Sequence, residues 1–313
     1  MKIAISTNWN SARHAAGEGI VDEALELGFD SLELGYDLTQ EQADGIMNRV
    51  RAGVIDIGSV HAYSPVPIGA PHGYPELHLL ASSDEDEGAL AAVLLKNTVN
   101  FAESVGAKAV VLHAGRVFLD SWLGPKCDSS ALSDFARRNG IGDGYERLLK
   151  KAKKRRTARG RKTMELFRRR LDKILPYCRQ HGVLLCLENL PSIEGFPDEE
   201  EMTALAEAYK DSPLRYWHDM GHGQVRANLK WVGVHSFVAE RMLPFTGGIH
   251  IHDCRPLDHD HLPPGAGKIN FAEFAFYGKA DICRVFEPAR NVPPEDLRLG
   301  LELVRAAWSD RPA

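Results

Sequence analysis

The chain has 313 residues, of which 44% are hydrophobic and 26% are charged, so a large core is possible and the composition argues against disorder or a coiled coil. The formal net charge is −5, although twelve Lys or Arg and a single acid lie between Lys150 and Arg170. An acidic body with one basic strip is not the charge profile of a duplex-binding protein.

Strand and helix patterns alternate along the chain. In chain order we predict strand 2–7, helix 21–27, strand 31–36, helix 40–51, strand 54–63, helix 87–105, strand 107–113, helix 145–180, strand 183–190, helix 199–209, strand 214–219, helix 231–241, strand 248–253, helix 271–277, strand 282–288 and helix 294–308. Strand cores such as AKAVVLH and VLLCLEN are nearly continuous apolar runs, which is typical of strands that are buried on both faces.

Alternation of this kind leads either to a doubly wound sheet or to a closed barrel. No GxGxxG follows the first strand, which argues against a Rossmann fold, and eight units favour an α/β (βα)8 TIM barrel. We predict a single domain over residues 1–313, with an insertion at about 116–161. The stretch from Gly115 to about Asp143 is predicted to be irregular, and a break in the long basic helix is expected near Gly160.

The cysteines and the N-terminal segment bear on the cellular compartment in which we expect the protein. The five cysteines form no CxxC pair, so we expect free thiols and no cysteine-based zinc site. The start MKIAIST reads as a strand and lacks the apolar run of a signal peptide. No stretch approaches the roughly 18 apolar residues of a membrane span. We therefore expect a cytoplasmic protein without a membrane partner.

Polar side chains recur toward the carboxyl ends of the predicted strands, where TIM barrels carry their active sites. They are Glu33, His61, His113, Glu188, Asp219, His222, His250, His252, Asp253 and Glu287. A charged group at the end of an apolar strand is costly unless it is paired or bound to a metal. Each one alone is equally well explained as a hydrogen-bonding residue, but their recurrence on strand after strand predicts a shared site.

These residue types can hold a divalent metal ion. A set of three carboxylates and one imidazole suits Mn, Mg or Co more than structural Zn. His61 and His113 either form a second, more zinc-like site with Glu188 as a bridge or hydrogen-bond a substrate. His250 and His252 lie two residues apart and face the same side, so spacing alone leaves the choice of ligand between them open.

At these positions the chain resembles the xylose isomerase-like barrel superfamily, which includes sugar phosphate isomerases and epimerases and endonuclease IV. The matching segments follow the family order from residue 1 to about 308, namely SLELGY, VHAYSP, VVLHAGR, CLENLP, HDMGHG, IHIHD, DHDHLPPGAGKINF and VFEP. The resemblance implies a central metal site formed by Glu188, Asp219, His250 and Glu287. It favours His250 over His252, because family members carry a polar or acidic residue three positions after the ligand, here Asp253.

The resemblance also implies roles for the other polar residues. His222 would bind substrate or an additional metal, and His61 and His113 match positions that bind a further metal in the endonuclease branch. The remaining predicted substrate-binding residues are Glu33, His252 and His261, the last in a loop over the pocket. The endonuclease branch completes a third metal site with an Asp-x-His pair, which residues 258–261 lack, and this argues against a three-metal cluster.

From this resemblance we expect an isomerase or epimerase of a small sugar, sugar phosphate or polyol derivative that needs one divalent metal, with a second metal left open. Glu188 and Glu287 would be the catalytic residues, transferring a proton through an enediolate. The alternative is an endonuclease IV-like phosphodiesterase acting on abasic DNA, which only the basic helix supports. A non-catalytic binding protein is disfavoured because the ligand set is complete. The expected partner is a carbohydrate and not a nucleic acid, and homo-oligomerisation is left open.

Overall fold

Eight parallel strands close into a barrel in a computed structural model that describes residues 1–119 and 126–309. Each barrel strand is hydrogen-bonded to the next barrel strand along the chain, and the last pairs with the first. The barrel strands are β1 (Ala4–Ser6), β2 (Ser31–Leu34), β3 (Asp56–His61), β4 (Ala109–Leu112), β6 (Leu184–Glu188), β8 (Leu214–Asp219), β9 (Thr246–Ile251) and β12 (Cys283–Phe286). Two small antiparallel sheets pair β5 (Gly115–Arg116) with β7 (Gly195–Phe196) and β10 (Asp253–Arg255) with β11 (His259–Leu262). The closed barrel confirms the predicted (βα)8 fold.

Helices connect the barrel strands. They are α1 (Gly17–Glu26), α2 (Gln40–Arg51), α3 (Glu85–Ser104), α4 (Ser129–Asn139), α5 (Asp143–Gln180), α6 (Glu199–Ala208), α7 (Met220–Asn228), α8 (His235–Met242), α9 (Phe276–Lys279) and α10 (Pro294–Trp308). A capping box starts α6, where Asp198 accepts from the amide of Glu201 and the Glu201 carboxylate accepts from the amide of Asp198. No helix in the described residues combines the length and the apolar character that crossing a bilayer requires.

Side chains fill the barrel below its carboxyl end. Trp217 on β8 packs under His250, with ring centroids 5.1 Å apart. Gly248 on β9 makes room for this indole, because a Cβ there would lie 2.1 Å from the Trp217 ring. The other members of this buried cluster are Ala4, Ala109, Val111, Cys186 and Val285. These side chains fill the barrel interior, so the polar groups at the carboxyl end lie next to a layer of buried apolar side chains.

Several local predictions were wrong. Helix α4 forms inside the stretch that was predicted to be irregular, and α7 begins immediately after Asp219, where no helix was predicted. Helix α5 also runs unbroken through Gly160, whose missing side chain leaves room for Glu201, since a Cβ there would lie 2.9 Å from Glu201 Oε1. Residues 120–125 of the expected insertion lie outside the described residues, and the insertion itself stays a prediction.

Much of the basic strip on α5 binds other parts of the chain. Arg156 and Arg170 are buried, and each donates to backbone carbonyls of loops beside the barrel. Further contacts of the strip are Arg155 with Leu119 O, Arg159 with Phe118 O and Arg169 with Glu85. The strip is therefore partly a structural element and not a uniform solvated face.

Candidate functional site

The carboxyl ends of four barrel strands bring the predicted central ligands together. Glu188 ends β6, Asp219 ends β8, His250 lies on β9, and Glu287 directly follows β12. All four are buried, and each offers one donor atom within 4.8 Å of the others. Parallel strands of a barrel end at one face, which explains how residues spread over a hundred positions meet.

The orientation of His250 is set by a carboxylate behind it. Its Nε2 lies 3.0 and 3.1 Å from the two oxygens of Glu33 and donates to them. Burial opposes ionisation of Glu33, but His250 holds the pKa of that carboxyl below its ordinary value. Nδ1 then faces Glu287 at 3.1 Å, Glu188 at 3.5 Å and Asp219 at 3.6 Å. Burial lowers the pKa of His250, but the surrounding carboxylates raise it well above its ordinary value, so a metal ion would bind Nδ1 by displacing a proton. This is the arrangement of a metal-binding histidine with an outer carboxylate.

Buried acceptors in this group lack hydrogen-bond partners. Both oxygens of Glu188 and Nδ1 of His250 are in this state. Unpaired buried acceptors are costly, and native proteins rarely contain them without water or an ion. Burial opposes ionisation of Glu188, yet His113 and His250 keep the pKa of its carboxyl well below the usual range. The three carboxylates of this group place negative charge close together, and a divalent cation would neutralise that charge and bind the unpaired atoms. Because most of the candidate ligand atoms are oxygens, Mn, Mg or Co would suit the site.

His61, His113 and Glu188 form a second group with metal-ligand spacing. The Nδ1 of His61 donates to the carbonyl of Ala62 at 3.0 Å, so its Nε2 turns toward Glu188 Oε2 at 3.3 Å. The Nε2 of His113 lies at the same distance from that oxygen. Burial lowers the pKa of His113, but Glu188 and Glu76 raise it to about 9. Glu188 thus lies between two groups, as a bridging ligand would.

A third group with metal-ligand spacing comprises His222, His252 and His261. It was not expected, because residues 258–261 lack the Asp-x-His pair with which the endonuclease branch completes a third metal site. The Nδ1 of His222 donates to the carbonyl of Asn189, and that of His261 donates to the carbonyl of Glu287, both at 2.9 Å. The Nε2 of each of these two rings is therefore free to coordinate a metal or to hydrogen-bond a substrate hydroxyl. The rings of His252 and His261 stack at 4.1 Å.

His252 has no free nitrogen. Its Nδ1 accepts from the amide of His261 at 2.8 Å, and its Nε2 lies 2.8 Å from Asp219 Oδ2. Burial lowers the pKa of His252, but Asp219 more than offsets this effect and raises it. An amide only donates, so a proton on Nδ1 would break the bond with the amide of His261. His252 therefore orients Asp219. The additional polar group near His222 is Asp260, whose Oδ2 lies 3.9 Å from Nε2.

Glu33 is buried behind His250. Its side chain is fully buried, and besides His250 it accepts from Ser59 Oγ at 2.8 Å. The contact that the structure gives Glu33 is therefore with a candidate metal ligand, and its predicted contact with substrate stays a prediction.

Asn189 and Tyr36 are among the residues of this site that sequence reasoning missed. The Asn189 side chain makes two hydrogen bonds with the backbone of Asp219, at 2.7 and 3.0 Å. Tyr36 packs edge-on against His61 with ring centroids 5.1 Å apart, and burial together with Glu287 raises the pKa of its hydroxyl. Both lie in the segments CLENLP and SLELGY, so the segments marked their positions but not their contacts.

The backbone amides of the glycine turn at 265–267 bind a carboxylate of the chain itself. Asp253 accepts from the amides of Gly265, Gly267 and Ile269 at 3.0, 2.8 and 3.0 Å. These amides would otherwise be donors for an anion. Asp253 thus secures the loop that carries His261 over the site.

The chain was compared with known proteins. No curated protein matches it. A 3-keto-D-glucoside 4-epimerase from E. coli superposes with a TM-score of 0.68 at 14% identity, covering 98% of this chain and 99% of that chain. D-psicose 3-epimerase from Clostridium cellulolyticum H10, solved with D-tagatose, gives 0.67 at 14% identity, covering 99% and 100%. These likenesses show the fold. A family profile described as xylose isomerase-like TIM barrel matches residues 21–276, and the chain belongs to that family.

Proposed function

We propose that the protein is a divalent-metal-dependent isomerase or epimerase of a small sugar, sugar phosphate or polyol derivative. The observation that carries this proposal is the buried group of Glu188, Asp219, His250 and Glu287, in which both oxygens of Glu188 and Nδ1 of His250 lack hydrogen-bond partners. The two relatives described above are named as sugar epimerases, which supports the same reaction class.

The two glutamates would carry out the proton transfers. When bound in the central group, a divalent cation supplies a Lewis acid for a carbonyl and a neighbouring hydroxyl of the substrate, which acidifies the adjacent C–H. Glu188 ends β6 and Glu287 follows β12. These strands lie three places apart around the barrel, so the two carboxylates would approach a substrate from different sides. One, in its ionised form, would remove the proton to give an enediolate, and the other, in its protonated form, would give a proton to the opposite face of that carbon, so that the two exchange protonation states. General acid–base transfer contributes about 10²–10⁴-fold to the rate.

The histidines with a free Nε2 would position the substrate. His222 and His261 each donate Nδ1–H to a backbone carbonyl, which fixes the ring with Nε2 available, whereas the Nε2 of His61 faces Glu188. A fixed imidazole nitrogen can accept from a sugar hydroxyl without losing side-chain entropy on binding. Substrate hydrogen bonding by these rings is part of the proposal.

Solvent isotope exchange tests the reaction class. We expect the metal-loaded protein, incubated in D2O with a panel of ketoses and ketose phosphates, to place deuterium on the carbon that is inverted or isomerised. If two carboxylates act from different sides, the epimeric product should carry deuterium while the unreacted substrate stays protiated early in the reaction. NMR spectroscopy reads both signals, and chelation of the metal should stop both. Absence of exchange with every sugar in a metal-loaded sample would sink the proposal.

One observation favours a second candidate, metal-dependent phosphodiester hydrolysis of the endonuclease IV type. Glu188 is shared by the central group and the His61–His113 group, and phosphodiesterases of this chemistry place two metals about 3.5–4 Å apart. The basic helix supports this candidate less than its charge implies, because Arg156 and Arg170 are buried against loops of the same chain.

Metal stoichiometry separates the two candidates. We expect one Mn-like ion per chain, retained in His113→Ala, because the central group does not use His113. His181→Ala is a matched control, since His181 also contacts a glutamate, Glu103 at 2.8 Å, away from the strand ends. Elemental analysis of purified protein gives the counts. Two or three Zn ions per chain, reduced in His113→Ala but not in the control, would favour phosphodiester hydrolysis and make abasic DNA the next substrate.

A further inference from the structure

Two buried arginines, from different helices, donate hydrogen bonds to the segment that follows β6. Arg156 on α5 donates to the carbonyls of Ile193 and Gly195 at 2.9 and 2.7 Å. Arg226 on α7 donates to the carbonyls of Leu190 and Ser192 at 3.3 and 2.8 Å. These carbonyls belong to residues 189–195, which we name the post-β6 segment.

Each guanidinium is neutralised by carboxylates at the start of α6. Arg156 binds both oxygens of Glu201 at 3.0 and 2.7 Å and reaches Asp198 at 2.8 Å. Arg226 binds both oxygens of Glu199 at 2.8 and 2.7 Å. Two-pronged guanidinium–carboxylate pairs of this kind fix geometry as well as charge. The post-β6 segment is therefore held by rigid donors at four of its carbonyls, those of residues 190, 192, 193 and 195.

The same segment orients the candidate metal centre. Glu188 immediately precedes it, and Asn189 at its start makes two side-chain hydrogen bonds with the backbone of Asp219. The carbonyl of Asn189 also receives the Nδ1–H of His222. A shift of this segment would therefore move two candidate ligands and one histidine together.

We propose that Arg156, supplied by the N-terminal half of α5, is a positioning residue for the metal centre. It acts by holding the post-β6 segment, and through Asn189 it fixes Asp219 and His222. The inference rests on the metal centre proposed above and gives a role to the part of α5 that precedes Arg161, within the expected insertion. Outer residues that orient metal ligands typically contribute 10–100-fold to metal affinity.

Arg170 offers a matched control on the same helix. It is also buried, donates to the carbonyls of Leu80 and Ser82 at 2.8 and 2.6 Å, and pairs with Glu85 at 3.2 Å. None of these partners belongs to the post-β6 segment. Loss of either arginine should lower the thermal midpoint, but only loss of Arg156 should disturb the metal centre.

The test is a titration of the metal-free protein with Co2+, monitored by visible absorption at a temperature where both variants are folded. We expect Arg156→Met to weaken Co2+ binding by about 10–100-fold and to change the absorption spectrum, with Arg170→Met unchanged in both. Equal weakening in the two variants, or normal binding by Arg156→Met, would overturn the positioning role. If a Met variant does not fold, Arg156→Lys and Arg170→Lys give the same comparison, because Lys keeps the charge but lacks the planar fork.

The test also separates this inference from the proposed reaction. A wild-type protein that binds no Co2+ would overturn the metal centre and the role of Arg156 with it. A protein that binds Co2+ through an Arg156-dependent site but shows no C–H exchange would overturn only the sugar isomerase or epimerase activity.

Discussion

Glu188→Gln is expected to abolish divalent metal binding and to reduce turnover below detection. Glu188 is the residue shared by the central group and the His61–His113 group, so its loss removes an anionic ligand from both. The substituted amide keeps the shape of the side chain but carries no charge, and its nitrogen has no lone pair to offer. Loss of proton transfer alone accounts for about 10²–10⁴-fold, and the weakened metal site adds to that.

Elemental analysis and thermal unfolding check this prediction without a known substrate. A ligand that binds only the folded state stabilises it, by about 2.7 kcal/mol at a hundred times the Kd, so Mn2+ should raise the midpoint of the wild-type protein. The midpoint of Glu188→Gln should not respond. Glu87→Gln is a suitable control. Glu87 lies on α3, accepts a hydrogen bond from the amide of Leu79 at 3.2 Å, and belongs to none of the candidate metal groups among the described residues. A Glu188→Gln protein that keeps its metal would refute the assignment.

The convergence of the candidate ligands could be predicted from sequence, because it follows from a single geometric rule. Parallel barrel strands end at one face, so polar residues that close apolar strands must meet there. Glu188, Asp219 and Glu287 were identified in this way, and the family resemblance chose His250 over His252. The structure gives these two histidines different contacts, since His250 Nδ1 faces the three carboxylates while both nitrogens of His252 are engaged.

The supporting contacts could not be predicted, because they join residues whose patterns are unrelated. Arg156 lies in a run of cations that reads as a solvated strip, yet its guanidinium is buried against carbonyls 37 and 39 positions away. No periodicity in a sequence encodes which carbonyl an arginine will reach. Glu33 illustrates the same limit, since strand position predicts that it points into the barrel but not that it lies behind His250.

Glu287→Gln is expected to separate C–H exchange from inversion. Glu287 belongs to the central group but not to the His61–His113 group, so its loss should spare more of the metal site than loss of Glu188 does. Epimerisation should fall by about 10²–10⁴-fold, because one of the two proton carriers is missing. With the epimer whose C–H faces Glu188, the variant should still exchange that hydrogen for deuterium and return labelled substrate without product. With the other epimer it should do neither.

This asymmetry distinguishes two carboxylates from one. The measurement is NMR detection of deuterium in substrate and product for both epimers, using variant protein whose metal content has been determined. If Glu287→Gln exchanges both epimers equally, a single base serves both faces, and Glu287 is only a ligand. If it epimerises at the wild-type rate, Glu287 does not carry a proton at all. Because both readings are normalised to bound metal, a weakened metal site cannot mimic either result.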